Sequence, residues 1–176
     1  MIKQVLFAGF GGQGVLFAGR VLANTALGKG YELSWLPSYG PETRGGTSNC
    51  AVVISDRKIG SPIVTNPDIL VAMNAPSFDR FIDSVSENGL AIIDSSLIIR
   101  ESNRDDITRI DIAATTLAQQ KQLTGLANMI LLGKLFSEIA LFDEADISSG
   151  MKLSVSSSRE SLINLNLTAI ALGSSI

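Results

Sequence analysis

The run Gly9-Phe10-Gly11-Gly12-Gln13-Gly14 constrains this chain more than any other segment, because its G-x-G-x-x-G spacing sits where that spacing carries meaning. It follows directly on a short apolar run, Gln4 to Ala8, which suits a buried strand. It leads directly into Val15 to Leu27, which reads as a helix apolar on most sides, with Arg20 and Asn24 four residues apart on its polar stripe. Gly28-Lys29-Gly30 stops that helix, and Tyr31 to Leu36 reads as a second strand. Strand, glycine loop, helix and strand make a βαβ unit with an expected right-handed crossover. Glycines in such a loop let backbone N–H groups approach an anion, and the positive end of the helix dipole adds to the attraction.

Downstream, the loop Pro37 to Gly46 precedes a strand over Thr47 to Ser55 and a short, Pro-interrupted edge element over Ile59 to Val64. Asp68 to Met73 reads as a buried strand, Ser77 to Val85 as a helix, Leu90 to Asp94 and Thr108 to Ala113 as the last strands. Thr115 to Gln122, Leu126 to Phe142 and Ser158 to Leu172 read as helices, with Ser158 as the N-cap of the last and Asn128 as a cap or seam residue of the second. Asp105-Asp106 and the acids from Asp143 to Asp146 read as solvated turns. No repeat or linker divides the chain. The expectation is α/β: a single Rossmann-like domain over residues 1–176, its sheet mostly parallel and its helices on both faces.

Composition removes several classes of chemistry. The chain has one cysteine and no histidine, so an intrachain disulfide, an iron–sulfur cluster held by four cysteines and a histidine-based triad are all excluded. Cys50, in the apolar run Asn-Cys-Ala-Val-Val-Ile, reads as a buried structural thiol, and cysteine usage fits a reducing cytoplasm. A net charge of −3 argues against bulk nucleic-acid binding. The stretch Val5 to Ala18 is too short and too glycine-broken to span a membrane. Residues 1–60 nevertheless hold six Lys/Arg against three Asp/Glu, so the glycine-rich third is the basic part of an acidic protein.

Three readings of the first loop stay open: close packing of helix on strand, a diphosphate or phosphate ligand, and a dinucleotide held in the standard way. The last needs an acid at the end of the second strand, and Glu32 falls instead at its start. The second loop contains Tyr39-Gly40-Pro41-Glu42-Thr43-Arg44-Gly45-Gly46 and is expected at the same sheet edge. There Arg44 offers a bidentate fork to phosphate or carboxylate, or else pairs with a nearby acid.

Taken together, GFGGQG, PSYGPETRGGTSNCAVVIS, Ser61-Pro62 and PDILVAMN at Pro67 to Asn74 resemble the gamma subunit of 2-oxoacid:ferredoxin oxidoreductases. Leu126-Ala127-Asn128-Met129 with Leu132-Gly133, and Asn166-Leu167 through Gly173, resemble that family's later helices. The resemblance implies a complex that oxidatively decarboxylates a 2-oxo acid, reduces ferredoxin and transfers the acyl group to coenzyme A. It implies alpha and beta partner subunits, with a ferredoxin-like delta subunit as a further candidate. Thiamine diphosphate and iron–sulfur clusters would sit on those partners, and this chain alone would hold no cofactor and be inactive by itself. The gamma module is then expected to aid assembly and to help enclose coenzyme A. On that reading Gly9, Gly11, Gly12, Gln13 and Gly14 form a diphosphate loop, and Tyr39, Arg44, Gly45 and Gly46 contribute from the second. The 2-oxoglutarate type is preferred, with pyruvate, branched-chain and indolepyruvate types open. A stand-alone dinucleotide-dependent enzyme and a purely structural assembly module are the competing readings.

Overall fold

The computed structural model describes residues 1–39 and 47–176. Six strands, β1 (Ile2–Phe10), β2 (Glu32–Tyr39), β3 (Thr47–Ser55), β4 (Ile69–Ala72), β5 (Leu90–Asp94) and β6 (Thr108–Ile112), form one sheet in the order β2-β3-β1-β4-β5-β6. β1, β4, β5 and β6 pair in parallel, whereas β3 runs antiparallel to both β1 and β2. The mostly parallel sheet expected from the sequence is therefore present, with one inserted reversal. β1 and β2 point the same way but do not touch, because β3 folds back between them. The sequence pattern does not show this, since an eight-residue edge strand and its antiparallel neighbour read alike in isolation.

Helices α1 (Val15–Gly28), α2 (Ala75–Phe81), α3 (Ala114–Gln120), α4 (Ala127–Ile139), α5 (Glu144–Ser154) and α6 (Ile163–Ser174) cover the sheet unequally. Alternation along the strands divides the core: Val5, Phe7, Cys50, Val52, Val71 and Ile92 pack beneath α1 and α4. Leu6, Ala8, Leu70, Ala72 and Ile93 face the other way, onto Phe78 of α2, Ile82 and Ile98. Both faces carry helix, as expected, but the first is far the thicker.

Three local expectations are corrected. Residues 59–64 form no strand; Pro62 withholds an N–H and Ile63 is 67% exposed, so neither ladder nor burial holds them. The acids at Asp143 to Asp146 open helix α5 with a capping box: the Asp143 carboxylate accepts from Asp146 N–H at 2.9 Å and the Asp146 carboxylate from Asp143 N–H at 3.0 Å. The C-terminal helix is two pieces, a 3₁₀ turn over Ser157–Leu162 broken at Arg159 (φ −125°) and then α6, so Ser158 lies within the turn rather than capping a helix.

Candidate functional site

The glycine loop leaves the carboxyl end of β1, next to the carboxyl end of β4. α1 departs from β1 to one face of the sheet and α2 from β4 to the other, which makes this a topological switch point, where open α/β sheets form their crevices. Gly9 lies one residue before the end of β1, where a side chain would strike Val15 Cγ2, Gln13 Oε1 and Met73 Cβ. Gly12 (φ 98°) and Gly14 (φ 74°) take the left-handed conformation, and Gly14 is the residue from which α1 starts.

Gln13 bolts the crevice at that point. Its Oε1 accepts from the Phe10 N–H at 2.7 Å and from Asn74 Nδ2 at 2.7 Å, and its Nε2 donates to the Met73 carbonyl at 2.9 Å. Asn74 in turn caps α2 by accepting from the Ser77 N–H at 2.9 Å. Most of the hydrogen-bonding capacity of Gln13 is thus spent inside the protein, with one amide hydrogen left over. By contrast, the amides of Gly12, Gly14 and Val15 meet no acceptor among the described residues. Gly11 and Gly12 are exposed, and a Cβ on Gly12 would stand in open space. Free N–H groups at the start of a 14-residue helix are what an anion needs.

Beside the bolt lies a cleft of about 250 Å³, lined by Gly12, Gln13, Asp94, Thr115, Gln119 and Asn128 among others. Asp94, 1% exposed at the end of β5, was not singled out from the sequence, where a lone acid after a strand gives no signal. Its carboxylate accepts from the Thr115 hydroxyl at 2.5 Å, from the Thr115 N–H at 3.2 Å and from the Ser96 N–H at 3.1 Å, anchoring α3 to β5. Asn128 does not cap α4; Leu126 occupies that position, and Asn128 donates from Nδ2 to the Gly14 carbonyl at 3.2 Å.

In register, Phe10 pairs with Thr47 and Tyr39 with Ser48, so both described ends of the second loop stand at the same sheet edge as the first. Arg44, Gly45 and Gly46 lie outside the described residues, as does the side chain of Tyr39. Glu32 pairs with Ser55 at the opposite end, roughly 25 Å away at ~3.3 Å per residue, too far to hold a ribose at the glycine loop. Cys50 is buried, and burial pushes its thiol up to about 12, offset in part by the Trp35 indole beside it. That is an inert thiol. No group of three or more His, Cys, Asp or Glu among the described residues is placed to hold a metal, and no helix there is long and apolar enough to cross a membrane.

Comparison with known proteins agrees with this architecture. The family described as "Pyruvate ferredoxin/flavodoxin oxidoreductase" matches residues 4–176. The ketoisovalerate oxidoreductase subunit VorA of Methanothermobacter thermautotrophicus is 38% identical over 97% of this chain, and the 2-oxoglutarate synthase subunit KorC of Methanocaldococcus jannaschii is 38% identical over 77%. The chain spans 35% of the length of the former and the match covers 74% of the latter. Among solved structures, the gamma subunit of a keto/oxoacid ferredoxin oxidoreductase from Geobacter sulfurreducens superimposes with a TM-score of 0.83 at 26% identity, covering 98% of this chain and 94% of that one. The chain belongs to the pyruvate ferredoxin/flavodoxin oxidoreductase family, and its fold is that of a gamma subunit from such an enzyme.

Proposed function

We propose that this chain serves as the gamma module of a multi-subunit 2-oxoacid:ferredoxin oxidoreductase, helping to assemble the complex and to hold coenzyme A. The observation that carries the ligand half of this reading is the row of unpartnered amides at Gly12, Gly14 and Val15, on a loop whose Gly11 and Gly12 are exposed. Those amides bind the diphosphate, Arg44 pairs with a phosphate, and Tyr39 and the remaining Gln13 amide hydrogen add polar contacts. Alpha and beta subunits, with a ferredoxin-like subunit as a further partner, complete the complex, and ferredoxin takes its electrons. Thiamine diphosphate on a partner supplies the decarboxylation chemistry and iron–sulfur clusters the electron path; a chain with one cysteine has no ligand set for a cluster. The single cysteine suits a cytoplasmic setting. A 2-oxo acid as the substrate class is supported by the names of its relatives, ketoisovalerate and 2-oxoglutarate enzymes.

A packing-only reading accounts for Gly9, whose missing side chain makes room for Val15 and Met73. At Gly12 an added Cβ would meet nothing within 4 Å, so the backbone φ of 98°, not packing, calls for glycine there. Native purification from the source, followed by mass spectrometry of the chains that travel with this one, tests the proposal: thiamine-dependent and ferredoxin-like partners are expected. Recovery of the chain by itself, or with unrelated partners, would overturn it.

A further inference from the structure

The segment between α2 and β5 carries Asn88-Gly89, the only asparagine in the sequence that is followed by glycine. That pair is chemically labile, because no side chain on the glycine obstructs attack by its main-chain nitrogen on the asparagine amide. Local geometry demands both residues. Asn88 has a φ of 59°, which asparagine tolerates better than most side chains. A Cβ on Gly89 would lie 2.6 Å from the Ser86 carbonyl oxygen and 2.9 Å from that of Asp68. Asn88 is exposed and Gly89 buried. The turn is also a junction. The Gly89 N–H donates to the Ser86 carbonyl at 2.9 Å and the Asn88 N–H to the Asp106 carbonyl at 2.8 Å. The Leu90 N–H donates to the Asp68 carbonyl at 2.9 Å and the Thr108 N–H to the Gly89 carbonyl at 2.8 Å. The amino ends of β4, β5 and β6 thus meet here, at the sheet edge opposite the glycine loop.

Arg104 clamps this junction shut. Its Nε and Nη2 donate to the Asp106 carboxylate at 2.6 and 2.7 Å. Its Nη1 donates to the Asp83 carbonyl at 3.0 Å, and Nη2 to the Val85 carbonyl at 2.8 Å. One guanidinium therefore ties the residues entering the turn to Asp106, whose own carbonyl receives the Asn88 N–H. Closing a ring between the Gly89 nitrogen and Asn88 Cγ requires the intervening peptide to rotate. That rotation breaks the Gly89–Ser86 hydrogen bond in a space too tight for a methyl group. The closed turn thus opposes a reaction that its own sequence invites.

We propose that Asn88 is a masked deamidation site, closed while Arg104 holds the turn and reactive once the turn opens. In the open turn the Gly89 nitrogen gives up its proton and bonds to Asn88 Cγ; the Cγ–Nδ2 bond breaks, and Nδ2 leaves as ammonia with that proton. Water then opens the resulting succinimide at either carbonyl, giving aspartate or isoaspartate. The isoaspartyl link runs through Cβ and lengthens the main chain by an atom, so the Leu90 and Thr108 amides no longer register with their carbonyls. A chain that has opened is thereby marked, and this sheet edge stays loose. The test incubates the full chain at mildly alkaline pH, folded and in guanidinium chloride. Ammonia release is followed together with peptide mapping that separates the aspartyl and isoaspartyl forms of residue 88. Conversion in the folded chain is expected to be at least about tenfold slower, in proportion to the rarity of the open turn. Folded Arg104→Gln is expected to convert about tenfold faster than folded wild type, having lost charge-assisted bonds across the turn. The isoaspartyl chain, once refolded, is expected to lose hydrogen-exchange protection at the Leu90 and Thr108 amides. Equal rates in folded and unfolded wild type would overturn the mask, and no conversion at residue 88 in the denaturant would overturn the site. An Arg104→Gln chain that folds yet converts no faster would overturn the clamp; if that variant does not fold, the wild-type comparison decides alone.

Discussion

Asn128, in the first turn of α4, donates to the carbonyl of Gly14, the residue from which α1 starts. The same carbonyl accepts the Ala18 N–H at 3.0 Å, so one oxygen ties the glycine loop to two helices. A Cβ at Gly14 would collide with Asn128 Nδ2, and the φ of 74° would strain it further.

Gly14→Ala is accordingly expected to destabilise the chain by about 1–3 kcal/mol through backbone strain and steric conflict together. In a double-mutant cycle, Asn128→Ala should relieve the steric part and leave the strain, a non-zero coupling readable by urea unfolding. Simple additivity of the two changes would show that the contact is not made.

Gln13→Ala removes the bolt and leaves the Phe10 N–H, the Met73 carbonyl and the Asn74 amide without their partner. A loss of ~1–3 kcal/mol is expected. Hydrogen exchange at the Phe10 amide should rise with it, while exchange in β5 stays as in wild type. An unchanged Phe10 amide would contradict the geometry.

Where α4 crosses α6, Gly133 lies on the Ile170 carbonyl and Gly173 on the Ile130 carbonyl, with no room for a methyl group on either side. Alanine at either position pushes backbone against backbone, and each should cost about 1–3 kcal/mol or more, measured as a fall in the unfolding midpoint. Alanine at exposed Gly28, which ends α1 and has nothing within 4 Å, is the control and should be near neutral.

These contacts show what the sequence could and could not disclose. Thr47–Ser55 and Leu90–Asp94 match their expected bounds, because long apolar runs bounded by turn residues leave little freedom. α5 escaped notice because its opening acids resemble a turn; the reciprocal Asp143–Asp146 bonds that make them a cap exist only once the helix does. The glycine loop was legible from spacing, but the folding of Gln13 inward was not, since its partners Met73 and Asn74 stand 60 and 61 residues away. Asp94 gives no sign along the chain of its bonds to Thr115, and Asn128, expected as a cap or seam residue, gives none of its bond to the Gly14 carbonyl 114 residues away.

For Cys50, burial raises the thiol from an ordinary 9.0 to about 12. A raised acid gives stability that is complete below pH 9 and is lost as pH climbs through 9 toward 12, so alkaline unfolding should include this group. At pH 8 the native chain should resist a thiol reagent that labels the urea-unfolded chain readily. Equal labelling rates in the two states would contradict the burial.

Arg44→Ala in the assembled complex should weaken coenzyme A by ~1.5–3 kcal/mol, with a loss that shrinks as salt rises, because the contact pairs charge with charge. An unchanged affinity would make Arg44 a structural residue of its loop.

The most direct measurement is 2-oxo acid-driven, coenzyme A-dependent reduction of ferredoxin by the purified complex, with this chain present and after its removal. Acyl transfer to coenzyme A is expected to fail without the chain and to return when it is added back. Full coenzyme A-dependent turnover in its absence would contradict the account.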